Sequence, residues 1–276
     1  PSIRKNIHEK LLNGQINIIV GTHSLIEDKV IFKNLGIVII DEQHRFGVAQ
    51  RAKLWYKNNF PPHILVMTAT PIPRTLAMSI YGDLDFSIIR ELPPGRKQIK
   101  TFLMGENNRL KLFKFLREQI DLGKQIFIVY PLIEESQKMD YKDLMDGYES
   151  VCREFPLPKY RISIMHGKMK TEDKDYEMKR FLQGKSQIMV STTVIEVGVN
   201  IPNANVMVIE SSERFGLSQL HQLRGRVGRG NEQSFCILMK GKKISNDAKL
   251  RLKTMVKTTD GFEIAEVDLK LRGPGD

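Results

Sequence analysis

Gly36-Ile37-Val38-Ile39-Ile40-Asp41-Glu42-Gln43-His44 is the stretch on which the fold turns. Four consecutive β-branched residues leave no polar face, which predicts a parallel strand covered on both sides, as in a doubly wound sheet. Two carboxylates, Asp41 and Glu42, follow at once, at the strand end where open α/β sheets bind their ligands.

Similar short runs recur on both sides of it. Residues 16–20, 36–40, 63–67 and 87–89 form one predicted series of strands. Residues 98–103, 125–130, 161–165, 187–191, 205–209 and 234–239 form a second, with helical stretches between. Alternation of this kind predicts an α/β fold with mainly parallel sheets. Between the series, Leu92-Pro93-Pro94-Gly95-Arg96-Lys97 stops any regular element and marks a linker. Two lobes are expected, at residues 1–95 and 96–276.

Composition is ordinary for a globular chain of 276 residues: 41% hydrophobic, 27% charged, 8% aromatic. The formal charge of +11 suits contact with a polyanion, although a modest basic surplus also serves solubility. Cys152 and Cys236 make no disulfide framework and have no Cys or His at metal-ligand spacing, so a reducing compartment is expected. The apolar runs fall far short of the ~20 residues of a membrane span, so an aqueous protein with no membrane partner is expected. The chain opens on Pro1 with nothing like a signal peptide, and ends at Gly275-Asp276 without an evident helix or tail. A fragment is expected.

Three further segments carry chemistry. Met67-Thr68-Ala69-Thr70-Pro71 follows a strand, and its small hydroxyl residues allow close backbone approach and can relay hydrogen bonds. Ser191-Thr192-Thr193 also follows a strand and leads to Glu196, Gly198 and Asn200; hydroxyls and backbone N–H groups there suit phosphate oxygens of a nucleotide or a nucleic acid. Gln222-Leu223-Arg224-Gly225-Arg226-Val227-Gly228-Arg229 sets three arginines among glycines, with Arg226 and Arg229 expected on one side of a helix end. Taken singly, Asp41-Glu42 also reads as a solvated loop that caps the next helix, Thr68-Ala69-Thr70 as a helix cap and the arginine cluster as a basic turn.

Taken in order, they resemble the superfamily 2 helicases: Asp41-Glu42-Gln43-His44 is similar to motif II, residues 68–70 to motif III, residues 192–200 to motif V and residues 222–229 to motif VI. Within that superfamily the chain resembles the RecG family of branched-DNA helicases. The likeness rests on Gly21-Thr22-His23-Ser24-Leu25-Ile26, the DEQH stretch through Val48, residues 68–75, and Tyr81-Gly82-Asp83-Leu84-Asp85. It continues through Val129-Tyr130-Pro131-Leu132 and Glu213-Arg214-Phe215-Gly216. Residues 262–276 resemble the start of the translocation region that RecG shares with the transcription-repair coupling factor Mfd. Mfd, the nearest alternative, usually carries DEEH and lacks the Tyr-Gly-Asp-Leu stretch.

The resemblance implies two RecA-like lobes: a partial first lobe, 1–95, with motifs II and III, and a second, 96–276, with motifs IV to VI. It implies an ATP-dependent helicase that remodels replication forks and Holliday junctions by translocating on duplex DNA. It further implies ATP and Mg²⁺ as cofactors, branched DNA held mainly by its backbone, a monomer, and a bacterial, cytoplasmic, nucleoid-associated setting. Asp41 would hold Mg²⁺ through water, Glu42 would activate the attacking water, and Gln43 and His44 would relay nucleotide state. Arg226 and Arg229 would act as arginine fingers. Thr68, Thr70, Glu196, Gly198, Asn200 and Gln222 would face the nucleotide, while Thr22, His23, Arg74, His166, Thr192 and Thr193 would touch the DNA backbone.

One departure is large: the loop G-x-x-x-x-G-K-[ST] is missing. Gly184-Lys185-Ser186 ends like it, but Lys179 stands where the first glycine belongs and the segment precedes a strand. In the family the loop lies upstream of Gly21, so these residues alone are expected to hydrolyse no ATP. Besides an Mfd-like translocase, a non-catalytic DNA-binding relic is the other reading left open. A smaller departure is Asn200, where many helicases have Asp.

Overall fold

The structure, a computed structural model of the chain, describes residues 2–42, 60–68, 85, 87–89, 91, 93–131, 137–192 and 201–272. The chain divides into two units, Pro1–Ala69 and Thr70–Asp276.

In the first unit, helix α1 (Ser2–Leu12) and a 3₁₀ turn (His23–Ile26) precede two parallel strands, β1 (Ile37–Asp41) and β2 (His63–Met67), which pair Ile37 with His63 through Asp41 with Met67. Ile26 and Ile40 are buried together, with Val38 and Ile64 packed on them. The other face differs from expectation, since Ile37 and Ile39 are each 59% exposed and Leu65 and Met67 stand exposed beside them. An unbroken apolar run makes both faces apolar, but each is buried only where an element lies on it. Among the described residues only the 3₁₀ turn does so. The strands expected at 16–20 and 87–89 do not form; Ile18, Val20 and Ile89 are exposed, and no described strand lies beside either segment to complete a ladder.

The second unit is a six-stranded, wholly parallel sheet in the order β3-β8-β7-β4-β6-β5. Its strands are β3 (Lys100–Gly105), β4 (Gln125–Val129), β5 (Ile162–Met165), β6 (Ile188–Ser191), β7 (Ala204–Ile209) and β8 (Phe235–Lys240). Every residue of β4, β6 and β7 is buried, as a sheet covered on both faces requires. Alternate side chains part to the two faces. Ile126, Ile128, Val206 and Val208 meet α2 (Arg109–Asp121) and α3 (Gln137–Glu154) through Leu112, Leu116, Leu144 and Val151. Phe127, Val129, Met207 and Ile209 meet α4 (Thr171–Leu182), α5 (Leu217–Arg224), α6 (Asn246–Lys257) and α7 (Gly261–Arg272) through Phe181, Leu220, Leu252 and Ile264. Each helix supplies an apolar stripe to one face of the same strands, and that makes the fold doubly wound. Among the described residues no helix is long and apolar enough to cross a membrane.

Buried polar groups are met in kind. The Gln125 amide donates to the carbonyls of Phe181 and Ser186, tying the start of β4 to the end of α4. Arg109, at the start of α2, donates to both carboxylate oxygens of Glu210 at the end of β7, at 2.8 and 2.9 Å, and also to Glu106. Tyr130 packs so tightly against Gly147 that a Cβ there would lie 2.3 Å from the ring, so α3 approaches β4 only because residue 147 lacks a side chain. Phe113 and Phe115 form edge-on ring pairs with Phe155 and Phe235, as packing side chains.

Arg224 is buried and has no carboxylate partner among the described residues. One of its nitrogens donates to the carbonyls of Met255 and Thr258 at the end of α6, and the other meets His221 Nδ1 at 3.1 Å. A guanidinium only donates, so His221 accepts at Nδ1 and carries its proton on Nε2. Burial, reinforced by the Arg224 charge, pulls the His221 pKa down to about 4. This contact makes His221 part of the joint between α5 and α6.

Two outcomes follow from this packing. Phe181→Ala, which empties a fully buried site against Phe127, should cost about 3–5 kcal/mol of unfolding free energy, measured by urea denaturation followed by circular dichroism. Because the unfolded imidazole takes up a proton near pH 6.5 and the folded one only near 4, His221 should contribute stability in full above pH 6.5. As pH falls towards 4 that contribution should be lost, to a total of about 3 kcal/mol. His221→Asn, which keeps an acceptor for Arg224, should flatten the pH dependence of the urea midpoint between pH 7 and 4.5; an unchanged slope would contradict the assignment.

Candidate functional site

The site residues expected in the first unit gather at one edge of its two strands. Asp41 is the last residue of β1 and is paired in register with Met67, so Thr68 emerges next to it from the same edge. Glu42 follows with φ +53°, a left-handed conformation uncommon for a residue with a side chain, and its N–H donates to Asp41 Oδ1 at 2.9 Å. That turn holds one carboxylate oxygen of Asp41 in place while the residue stays exposed. Thr22 and His23 open the 3₁₀ turn whose Ile26 packs on Ile40, one residue before Asp41; Thr22 Oγ1 lies 3.3 Å from Ser24 Oγ. Gln43, His44, Thr70 and Arg74 lie outside the described residues.

In the second unit, His166 and Thr192 come together at the C-terminal edge of the sheet. β5 and β6 pair Met165 with Ser191, and the Thr192 N–H donates to the Met165 carbonyl. Thr192 is 3% exposed, and its hydroxyl has no hydrogen-bond partner among the described residues. Lys174 reaches back from α4 to the Gly167 carbonyl and fixes the turn that carries His166. Burial, with the Lys174 and Lys168 charges added, holds the His166 pKa below its usual value, so the ring is mainly neutral at pH 7 and sits in a positive field. Thr193, Glu196, Gly198 and Asn200 lie outside the described residues.

Gln222, Arg226 and Arg229 are placed elsewhere. Helix α5 ends at Arg224, with Gly225 as its cap, so Arg226 and Arg229 stand in the turn beyond it and the expected helical spacing does not apply. Gly228, at φ +73°, bends that turn against Ile99 and Ser234, its carbonyl accepts from Arg96, and Gly230 lies against the Pro202 carbonyl. Ile99, Pro202 and Ser234 all precede strand starts, so the arginine turn lies at the N-terminal edge of the sheet, opposite His166 and Thr192. Gln222 and Arg226 are half-buried and Arg229 is exposed. The Arg96 contact also fastens the described end of the proline-rich linker to this unit. Sequence reasoning missed Arg224 and the Arg109–Glu210 pair. The latter joins positions 101 residues apart, for which no local pattern exists. Among the described residues no three His, Cys, Asp or Glu side chains cluster as a metal site.

Comparison with known proteins agrees with this order of segments. Residues 2–79 match the DEAD/DEAH box helicase family and residues 109–231 match the helicase conserved C-terminal domain. The chain is 52% identical over 273 residues to the ATP-dependent DNA helicase RecG of Synechocystis sp., covering 99% of the chain and 32% of that protein. It is 51% identical over 276 residues to the RecG of Thermotoga maritima, covering 100% and 35%. A solved structure of RecG bound to a three-way DNA junction superposes with a TM-score of 0.77 at 48% identity, covering 100% of the chain and 35% of that protein. The chain therefore spans about a third of the length of these relatives, and along that span it is similar to RecG proteins throughout.

Proposed function

We propose that these residues form the motor core of an ATP-dependent DNA helicase that remodels branched DNA by translocating on duplex, with residues 1–95 as its first lobe and 96–276 as its second. The observation that carries the reading is identity near 50% to RecG proteins along the whole of this chain, together with Asp41, Glu42 and Thr68 on one strand edge. Relatives of this kind favour RecG over the transcription-repair alternative. One of them, bound to a three-way junction, makes branched DNA the proposed substrate.

The residues present fit the cofactors the family implies. Asp41 is exposed, and among the described residues one hydrogen bond reaches its carboxylate, from the Glu42 N–H to a single oxygen. A carboxylate so placed suits a hydrated Mg²⁺ held through water. When bound, that ion would neutralise charge on the phosphates of ATP. Glu42 would accept a proton from the attacking water, Gln43 and His44 would sense the nucleotide, and Arg226 and Arg229 would stabilise charge on the terminal phosphate. Thr68, Thr70, Glu196, Gly198, Asn200 and Gln222 would line the nucleotide site. Thr22, His23, Arg74, His166, Thr192 and Thr193 would hold DNA phosphates, a contact indifferent to sequence and sensitive to salt. We place the protein in the bacterial cytoplasm, as a monomer at the nucleoid.

The test is unwinding of a three-way junction by the full-length gene product with ATP and Mg²⁺, with linear duplex as control. Junction unwinding is expected to exceed duplex unwinding, and equal rates on both would overturn the substrate assignment. Glu42→Gln should lower turnover at least 10²-fold while junction Kd changes less than threefold; parallel loss of both would remove Glu42 from the chemistry.

A further inference from the structure

Helix α6 carries a charge pattern that the site above does not use. Lys249, Lys253 and Lys257 recur every fourth residue and are all exposed. Three positions so spaced lie within an arc of about 80° and make a ridge roughly 12 Å long, one ammonium per ~6 Å. Lys242 and Lys243, also exposed, extend the charge beyond the helix start. Lys257 pairs with Glu263, whereas among the described residues no ion pair involves Lys242, Lys243, Lys249 or Lys253. Ala248, Leu252 and Met255 of the same helix are buried in the core.

Three kinds of partner take a basic helix. A lipid surface would need the apolar face of α6, which the core already occupies. An acidic peptide needs only charge, and gains nothing from a straight, evenly spaced row. A phosphate backbone is itself such a row, and the position in the fold also suits it. Lys242 and Lys243 leave the sheet at the C-terminal end of β8, the same edge from which His166 and Thr192 leave β5 and β6. From β8 to β6 is three strand spacings, about 14 Å along the edge; α6 then runs back from this edge, so Lys249 is its nearest lysine and Lys257 stands by Gln98 and Gln233 at the strand starts. The two backbones that border a major groove lie at a similar separation, about 12 Å.

We infer that the near end of the lysine ridge, Lys249 with residues 242 and 243, is a second phosphate-tracking surface that holds the complementary strand of the duplex whose other strand meets His166 and Thr192. This rests on the DNA-binding reading above and adds to it the second strand and the residues that hold it. Contacts of this kind read no bases. Their signature is electrostatic, because each phosphate neutralised by a lysine releases condensed counterions and steepens the salt dependence of binding.

The measurement is anisotropy of a labelled three-way junction with the full-length gene product between 50 and 200 mM salt. It compares wild type with Lys242→Gln/Lys243→Gln and with the triple variant that adds Lys249→Gln. Circular dichroism verifies the fold, which exposed lysines should leave intact. The slope of log affinity against log salt should become shallower by about 0.9 per lysine, about 1.8 for the double and about 2.7 for the triple variant, equally for arms of different sequence. Turnover without DNA should not change. Should wild type bind the junction while both variants keep its slope and Kd, the ridge is not a DNA surface and only this inference fails. Should wild type not bind at all, the functional reading fails with it. Loss of binding to a labelled polyglutamate peptide, with the DNA slope unchanged, would assign the ridge to an acidic protein and overturn the proposal.

Discussion

Complete burial of the inner strands is the constraint from which the second unit is built. No residue of β4, β6 or β7 reaches solvent, so every backbone group there must be satisfied within the ladder, and side chains must part to two faces that are each roofed by helices. Parallel pairing then sends all strand ends to one edge and all strand starts to the other. Polar residues just outside the strands fall into two groups without further instruction. His166 and Thr192 belong to the first group, and the Arg226–Arg229 turn to the second. The sorting of these candidate side chains is thus a by-product of core formation.

Two polar joints keep that geometry from slipping. The bidentate Arg109–Glu210 pair ties the start of α2 to the end of β7, and Gln125 ties the start of β4 to the end of α4. Neither adds much net free energy, because desolvation offsets most of the gain. Each, however, leaves an unmet buried group in any other register, so they select the arrangement more than they strengthen it. The neighbouring Tyr130 feels the same environment, and burial together with the Glu210 charge pushes its phenol pKa well above the ordinary value.

Much of this was legible in the sequence. Runs such as Gln125-Ile126-Phe127-Ile128-Val129 gave their strands away because apolar continuity and length are local properties. The edge position of Asp41 followed from its place after Ile40. Where the reading failed, the missing information was a partner. Ile16 to Val20 has the composition of a strand, but a strand exists only beside another, and none of the described ones lies there. The open face of β1 has the same cause: hydrophobicity says that Ile37 and Ile39 favour burial, not that anything covers them. Arg226 and Arg229 were expected on a helix because their spacing suits one, yet Gly225 and Gly228 unwind the chain first. Arg224 was overlooked among three arginines of identical local pattern, and only the carbonyls of a helix thirty residues on distinguish it.

The Arg224 joint also explains how α6 can carry a dense positive charge without instability. Its last turn is held by a guanidinium that donates to two of its carbonyls and to His221 in a dry interior, where mobile ions do not penetrate. The lysines on its outer side sit in water and are screened at once. Ionic strength therefore addresses the two sides of one helix separately. A rise in salt damps the field of the lysines while the mounting underneath stays as firm as at low salt.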